Sequence, residues 1–284
     1  MKRFLVLIYG AACYALGCTT LLYGVGFLGN LVVPKSLDSI PTIPMCWAIL
    51  INGLLLGIFA LQHSVMARPF FKRWLIRFIP EPMERSTYVL ASSVALGLIF
   101  WQWQPFGGTV WEITNPIGVT VFQSLFVFGW VTILGTSFLI NHFDLFGLRQ
   151  VWLYFREKEY APLSFRTPGP YRFVRHPLYV GWLIAFWMTP TMGISHFLFS
   201  IGMTLYILIA IPLEERDLTQ VFGDVYVQYQ KTTGMLVPRL GQGEDHYQHA
   251  MTREAEPRTL SIASVAFKVP GPACGDRAKV EQSG

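Results

Sequence analysis

The feature that most limits what this chain can fold into is where its charges are absent. Residues 4–33, 45–66, 86–104 and 117–140 contain no Lys, Arg, Asp or Glu, and neither does the long stretch 178–213. A helix needs about 20 apolar residues to cross the ~30 Å hydrocarbon core of a bilayer. Each of the first four stretches supplies one such helix. The fifth holds two shorter pieces joined by a turn at 189–195, TPTMGIS. Only 14% of the residues are charged, where a soluble domain has roughly a quarter. The expected fold is therefore an all-α polytopic membrane protein with about six transmembrane helices. The last two are short enough that their hairpin either crosses with little tilt or re-enters.

The basic residues order these spans. Lys2 and Arg3 open the chain, the loop at 68–85 has five basic residues, the loop at 143–175 has six, and the region after the hairpin has eight. The alternate loops carry Lys35 alone or nothing. Positive charge is retained on the cytoplasmic side, so both termini and the two basic loops are expected there. The net charge of +5 then belongs to loops that meet anionic lipid, and no nucleic-acid partner is expected. The basic start resembles a signal peptide, and Ala15-Leu16-Gly17-Cys18 faintly resembles a lipoprotein cleavage site. A signal core is only about 7–15 residues long, so a retained first helix is expected instead.

After Glu215, the residues Leu218, Phe222, Val225, Tyr226 and Tyr229 recur at intervals of three and four. That spacing predicts an amphipathic helix lying along the inner membrane surface. Residues 241–284 are polar and aperiodic, and a disordered tail is expected there. Cys13, Cys18, Cys46 and Cys274 are too widely separated for metal-ligand spacing, so no metal site is expected.

Charge returns to the ends of the last hairpin as Arg175-His176 and Glu214-Glu215. Two helices joined by a short turn bring these clusters to one membrane surface. His63 and His142 end the second and fourth spans on that same side, near Asp144. Ionisable groups at span ends that face a bundle interior are functional candidates.

The spacing Gly169-x-Tyr171-x-x-Val174-Arg175-His176-Pro177-x-Tyr179-x-Gly181 is followed by Glu214-Glu215-x-x-Leu218-x-x-x-Phe222-Gly223-x-x-Tyr226-x-x-Tyr229 and Val237-Pro238. It resembles the C-terminal core shared by isoprenylcysteine carboxyl methyltransferases, phospholipid methyltransferases and NnrU-like proteins. With the upstream stretch 141–150, NHFDLFGLRQ, the chain resembles the bacterial methanethiol S-methyltransferases. The resemblance implies S-adenosylmethionine as methyl donor and methanethiol, a small thiol, as acceptor, with dimethyl sulfide and S-adenosylhomocysteine as products. The shared C-terminal core covers about residues 165–238, and the chain is expected to divide into a scaffold at 1–143, a methyltransferase core at 144–240 and the tail at 241–284. No glycine-rich strand-to-helix turn of a soluble dinucleotide fold accompanies it.

The residues suit that donor. Arg175 can hold a carboxylate through two parallel hydrogen bonds. His176, extended before Pro177, aims its ring and the helix-end amides at the cavity. Glu214 or Glu215 can take a ribose diol or the ammonium, and their side chains point about 100° apart, so one of the two faces the donor. Tyr171, Tyr179 and Trp182 can stack on adenine or face the sulfonium. Gly181 belongs to the same donor motif. The attacking species is a thiolate, which requires a base or a cationic environment near the sulfur. His142, with Asp144 to fix its tautomer and raise its basicity, is the expected pair, with Tyr226 and Tyr229 as further candidates. Two other readings remain open here. One is a related methyltransferase for a larger thiol or a prenyl-cysteine carboxylate. The other is a haem- or quinone-binding subunit that uses His63 and His142.

Overall fold

A computed structural model describes residues 1–239; the tail expected at 241–284 lies outside the described residues. The charge-free stretches become helices in the expected order. These are α1 (Lys2–Gly29), α2 (Met45–Ala67), the short α3 (Pro69–Leu75), α4 (Glu84–Gln102) and, after strand β1 (Thr109–Glu112), α5 (Pro116–Leu139). Two short helices, α6 (His142–Leu145) and α7 (Leu148–Phe155), precede the hairpin. The hairpin consists of α8 (Pro177–Trp187), strand β2 (Thr191–Gly193) and α9 (Ile194–Phe222), and α10 (Asp224–Thr232) follows it. Pro69, Pro80 and Pro82 keep the second loop to α3 and a single 3₁₀ turn, Glu81–Met83. Proline cannot donate the helix hydrogen bond and clashes with the preceding turn.

Among the described residues α1, α2, α5 and α9 are long and apolar enough to cross a membrane. Their outward residues are large and apolar: Leu54, Leu61, Phe128, Val131 and Ile209 are all exposed. In water such a surface would be strongly unfavourable; in lipid it is the ordinary exterior. The protein is an all-α polytopic membrane protein. Its interior is built from interlocked rings, with Trp103, Phe27, Phe186 and Phe199 buried together. The Trp103 indole donates to Ser195 Oγ at 2.9 Å, which ties α4 to the start of α9.

The hairpin is less symmetric than the two short helices the sequence predicts. Helix α8 has 11 residues, or about 16 Å at ~1.5 Å per residue, roughly half the hydrocarbon thickness. Helix α9 has 29 and runs on past the apolar stretch through Glu214 and Glu215. α8 is held against α5 by a glycine pair. A Cβ on Gly181 would lie 2.9 Å from the Gly129 carbonyl oxygen, and one on Gly129 would lie 2.9 Å from the Gly181 oxygen. Small residues of this kind let membrane helices approach backbone to backbone. The remaining distance is covered by β2, which pairs antiparallel with β1.

The single amphipathic helix expected after Glu215 is two. Gly223, at φ 57°, ends α9 and starts α10, a conformation open to glycine at little cost. Leu218 therefore belongs to α9, and Tyr226 and Tyr229 belong to α10. The fold across Gly223 brings all three together around Phe165 and Phe222. At 3%, 1% and 2% exposure, this face packs against protein and not along lipid.

Basic residues gather at one end of the bundle. Arg3 pairs with Glu157, Arg68 with Asp217, Arg149 with Asp144 and Arg175 with Glu215. At the other end Lys35 donates to the Trp101 carbonyl at 2.8 Å, and Asn52 exchanges two 2.8 Å hydrogen bonds with the Gln104 backbone.

Candidate active site

The first turn of α8 is clamped from outside. Arg175 and His176 donate their backbone N–H groups to the carbonyls of Gly234 and Met235, at 2.8 and 3.2 Å. This short parallel bridge follows directly from α10. His176 is the residue before the helix, at φ −125° and ψ 60°, with Pro177 in the first helical position. Proline keeps its predecessor out of the helical region, so the imidazole turns toward α9 and not along α8.

There it meets Glu215. His176 Nε2 donates to Glu215 Oε1 at 3.0 Å, Arg175 Nε donates to the same oxygen at 2.6 Å, and Gln230 Nε2 donates to Oε2 at 2.9 Å. Arg175 Nη1 also donates to the carbonyls of Gln230 and Thr233. The motif residues, far apart in sequence, thus form one network across α8, α9 and α10, with the Arg175 and Glu215 side chains 9% and 12% exposed. Charge-assisted bonds in so dry a place fix geometry strongly, and losing one partner leaves the other buried and uncompensated.

Glu214 faces elsewhere. Its Oε2 accepts from the Tyr179 hydroxyl at 2.8 Å, and the Tyr179 ring stacks on His176 at 5.5 Å. The Glu214 charge also acts on Tyr88 of α4 and Tyr206 of α9. One acid locks the elements together while its neighbour opens onto a polar, aromatic interior. Tyr171 is buried beneath the cap, and its carbonyl accepts from the Tyr229 hydroxyl. Burial, and after it the charge of Glu214, pushes its phenol up. Trp182 lies in the apolar core against Trp130 and Phe186, and Gly181 lies at the α5 contact. The geometry gives both a packing role.

His142 and Asp144 do not meet. On a helix, residues two apart project to opposite sides, and both lie on α6. His142 stands between the rings of Phe138 and Phe146, at 4.4 and 4.6 Å. Ser137 Oγ, which donates to the Leu134 carbonyl, is 2.9 Å from His142 Nδ1, and the Tyr14 hydroxyl is 3.0 Å from Nε2. Nδ1 therefore donates to Ser137, and Nε2 accepts from Tyr14. Burial pushes this imidazole below its ordinary value. Asp144 is taken by Arg149 at 2.8 Å and by the Tyr160 hydroxyl at 3.2 Å. The expected carboxylate support for His142 is absent, because the helical turn that Asn141 caps rotates it away. Tyr226 and Tyr229 sit in the aromatic cluster with Phe165, at the cap and below Glu215. Burial, then the charges of Glu215 and Glu214, pushes the Tyr226 phenol up.

His63 is grouped with different partners again. Its Nε2 lies 2.7 Å from the Tyr88 hydroxyl and its Nδ1 3.0 Å from Ser92 Oγ. Among the described residues, His63, His142 and His176 belong to three separate clusters. Both ring nitrogens of His63 and His142 are hydrogen-bonded, which is poor geometry for a pair of haem ligands.

Sequence comparison adds to this geometry. The chain is 57% identical over 242 residues to a methanethiol S-methyltransferase of Crocosphaera subtropica, covering 85% of this chain and 95% of that protein. It is 49% identical over 238 residues to one of Mycobacterium tuberculosis, covering 84% and 98%. The chain belongs to the methanethiol S-methyltransferase family. Nurim of Bos taurus is also similar, at 32% identity over 190 residues, covering 64% of this chain and 70% of nurim. No family model matches the chain, and no solved structure matches it.

A methanethiol S-methyltransferase needs a methyl donor, and the inner-end residues have the chemistry to hold a large, mixed-charge one. Glu214 supplies a carboxylate with a single described hydrogen bond, from the hydroxyl of Tyr179. A carboxylate and electron-rich ring faces suit a cation. Arg175 supplies guanidinium charge and His176 a second ring nitrogen at the head of α8, where an anionic group is favoured.

Proposed function

We propose that this chain transfers the methyl group of S-adenosylmethionine to the sulfur of methanethiol, releasing dimethyl sulfide and S-adenosylhomocysteine. The similarity to proteins named for this reaction, at 57% identity across 85% of the chain, is the observation that carries the reading. The inner-end network supports it, because Arg175, His176, Tyr179, Glu214 and Glu215 converge there from two helices.

In this reading Glu215 positions Arg175 and His176, and those two bind the donor's carboxylate end. Glu214 and Tyr179 face its cationic part. Tyr171 and the cap formed by α10 close the site against water. When bound, the donor supplies an electrophilic methyl carbon on a positively charged sulfur. The basic end of the bundle faces the cytoplasm, in keeping with the retention of positive charge on that side, and the membrane is a bacterial inner membrane. A small apolar acceptor reaches the site through lipid.

The test is initial-rate production of dimethyl sulfide in the headspace over membranes given methyl-labelled donor and a panel of thiols. Label should appear in dimethyl sulfide when methanethiol is offered. Label found only on larger thiols or on prenyl-cysteine carboxylates would replace the acceptor assignment with that of a related methyltransferase.

A further inference from the structure

Helix α10 ends against the donor motif. The last carbonyls of a helix have no partner within it. Here Arg175 Nη1 donates to that of Gln230, at 3.1 Å, and to that of Thr233 just past the helix end. The chain then turns at Gly234, where a Cβ would strike the Val237 carbonyl oxygen. Tyr229 and Gln230 are consecutive on α10, so their side chains point about 100° apart. Tyr229 reaches the Tyr171 carbonyl, and Gln230 reaches Glu215.

The bonds around Glu215 divide unequally between its two oxygens. Oε1 accepts from Arg175 Nε at 2.6 Å and from His176 Nε2 at 3.0 Å, whereas Oε2 accepts from Gln230 Nε2 at 2.9 Å. A carboxylate and a guanidinium ordinarily close two parallel bonds. With Oε1 on Nε, the second bond would run from Nη2 to Oε2, along the same edge of the guanidinium. Gln230 holds that oxygen instead. Nη1 already serves two carbonyls, so Nη2 is the nitrogen Arg175 has left among the described residues. His176 likewise keeps Nδ1, which accepts in a neutral ring whose Nε2 donates.

We propose that Gln230 is a positioning residue of the donor site: by holding Glu215 Oε2, it keeps Arg175 Nη2 open for the donor's carboxylate. The proposal rests on the donor reading above and deepens it. The amino-acid end of that donor carries a carboxylate beside an ammonium. Arg175 Nη2 donates to the carboxylate, and His176 Nδ1 accepts from the ammonium. Without the Gln230 amide, the Glu215 carboxylate turns until Oε2 takes Nη2. The buried pair then satisfies itself, and the donor's carboxylate loses its cationic partner. Glutamine suits the task because it spans from α10 to α9 and donates without adding charge. A lysine or arginine there would compete with Arg175 for Glu215.

The experiment is calorimetric titration of the full detergent-solubilised chain with two nucleosides, for wild type, Gln230→Met and Gln230→Glu. One nucleoside is S-adenosylhomocysteine. The other is its decarboxylated form, which keeps the adenosine, the sulfur and the ammonium. Gln230→Met keeps the length and loses the amide. Its affinity for S-adenosylhomocysteine should fall about tenfold, the low end for a contact to a charged group. Its affinity for the decarboxylated form should stay within about threefold of wild type, because contacts that share no partner contribute independently. The ligand-free melting temperature of Gln230→Met should hold, since the parallel Arg175–Glu215 pair replaces the lost bond. Gln230→Glu offers Nη2 a second carboxylate and should lose more. Equal losses for the two nucleosides, or a Gln230→Met chain that melts far lower or does not fold, would make Gln230 a packing residue and overturn the proposal. Wild-type affinities in both variants, or a wild type that binds the two nucleosides equally, would overturn it too. A wild type that binds neither would overturn the donor reading itself, and this proposal with it.

Discussion

The hairpin of α8 and α9 carries a histidine–carboxylate pair at each end, and the two differ instructively. At the outer end His196 is fully buried. Its Nε2 donates to the Phe186 carbonyl at 3.0 Å, while Nδ1 faces Asp38 at 3.5 Å. Asn30 donates to the same Asp38 oxygen at 2.9 Å, and Ser200 shares the Phe186 carbonyl at 2.8 Å. The partners there are loop and backbone groups and one serine of α9, and they close the turn. At the inner end His176 and Arg175 share Glu215, and the next residue, Glu214, turns to a cluster of phenols. A histidine beside a carboxylate is thus a fastener in one place and part of a binding site in the other. What separates them is the second carboxylate and the aromatic interior it faces.

The strongest way to break that comparison is to remove Glu215. Glu215→Ala leaves Arg175 buried without its counter-charge, a loss of about 3–5 kcal/mol. The melting temperature in detergent should fall markedly and donor binding should vanish. If the variant melts and binds like wild type, the inner network is no more than a surface feature.

Glu214→Gln sharpens the contrast between the two adjacent acids. It keeps the hydrogen bond to Tyr179 but gives up the charge, so melting should change little. Donor affinity should fall roughly ten- to hundredfold, the usual value of a charged contact at about 1.5–3 kcal/mol. Calorimetric titration with S-adenosylhomocysteine serves as a control, because the product lacks the sulfonium and should be affected less. Equal losses for donor and product would place Glu214 away from the positive sulfur.

Arg175→Lys tests geometry apart from charge. One ammonium cannot reach the Glu215 oxygen and the two backbone carbonyls in the fixed directions a guanidinium offers. A roughly tenfold loss of donor affinity is expected, about 1.4 kcal/mol, and wild-type affinity would show that charge alone suffices.

The outer pair should give the smallest effect, and on stability alone. His196→Ala should lower the melting temperature while leaving turnover per folded molecule unchanged. Burial pushes the Asp38 carboxyl up, but the contacts with His196 and Asn30 outweigh it and hold the group below its ordinary value. A carboxyl depressed on folding contributes stability that is present above its unfolded pKa and lost as pH falls through the folded one. Wild-type melting temperature should therefore drop below about pH 4, the ordinary carboxylate range, and Asp38→Asn should flatten that drop. Loss of turnover in His196→Ala at neutral pH would mean the two ends communicate.

Much of this molecule is legible without coordinates. The spans are local properties of the chain, because an apolar stretch of sufficient length is stable in lipid whatever its neighbours are. The pairing of Arg175-His176 with Glu214-Glu215 follows from a short turn between two helices. The break at Gly223 is visible only weakly, since the apolar spacing from Leu218 to Tyr229 continues through it in register. The half-length of α8 is not visible at all. Apolar residues continue past Trp187 whether they are helical or drawn out as the strand that meets Thr109–Glu112.

By itself the sequence determined that this is a helical membrane protein, where its charged ends lie, and that it carries a methyltransferase motif. These depend on composition and spacing along one chain. The tertiary structure decided which partner each ionisable group takes. It gave Glu215 to Arg175 and His176, Glu214 to Tyr179, Asp144 to Arg149 and His63 to Tyr88. Each choice rests on helix rotation, where one residue turns a side chain by about 100°, and on neighbours brought from distant spans. Neither rotation nor neighbour is written in the local pattern, and burial then makes the resulting partnership costly to break.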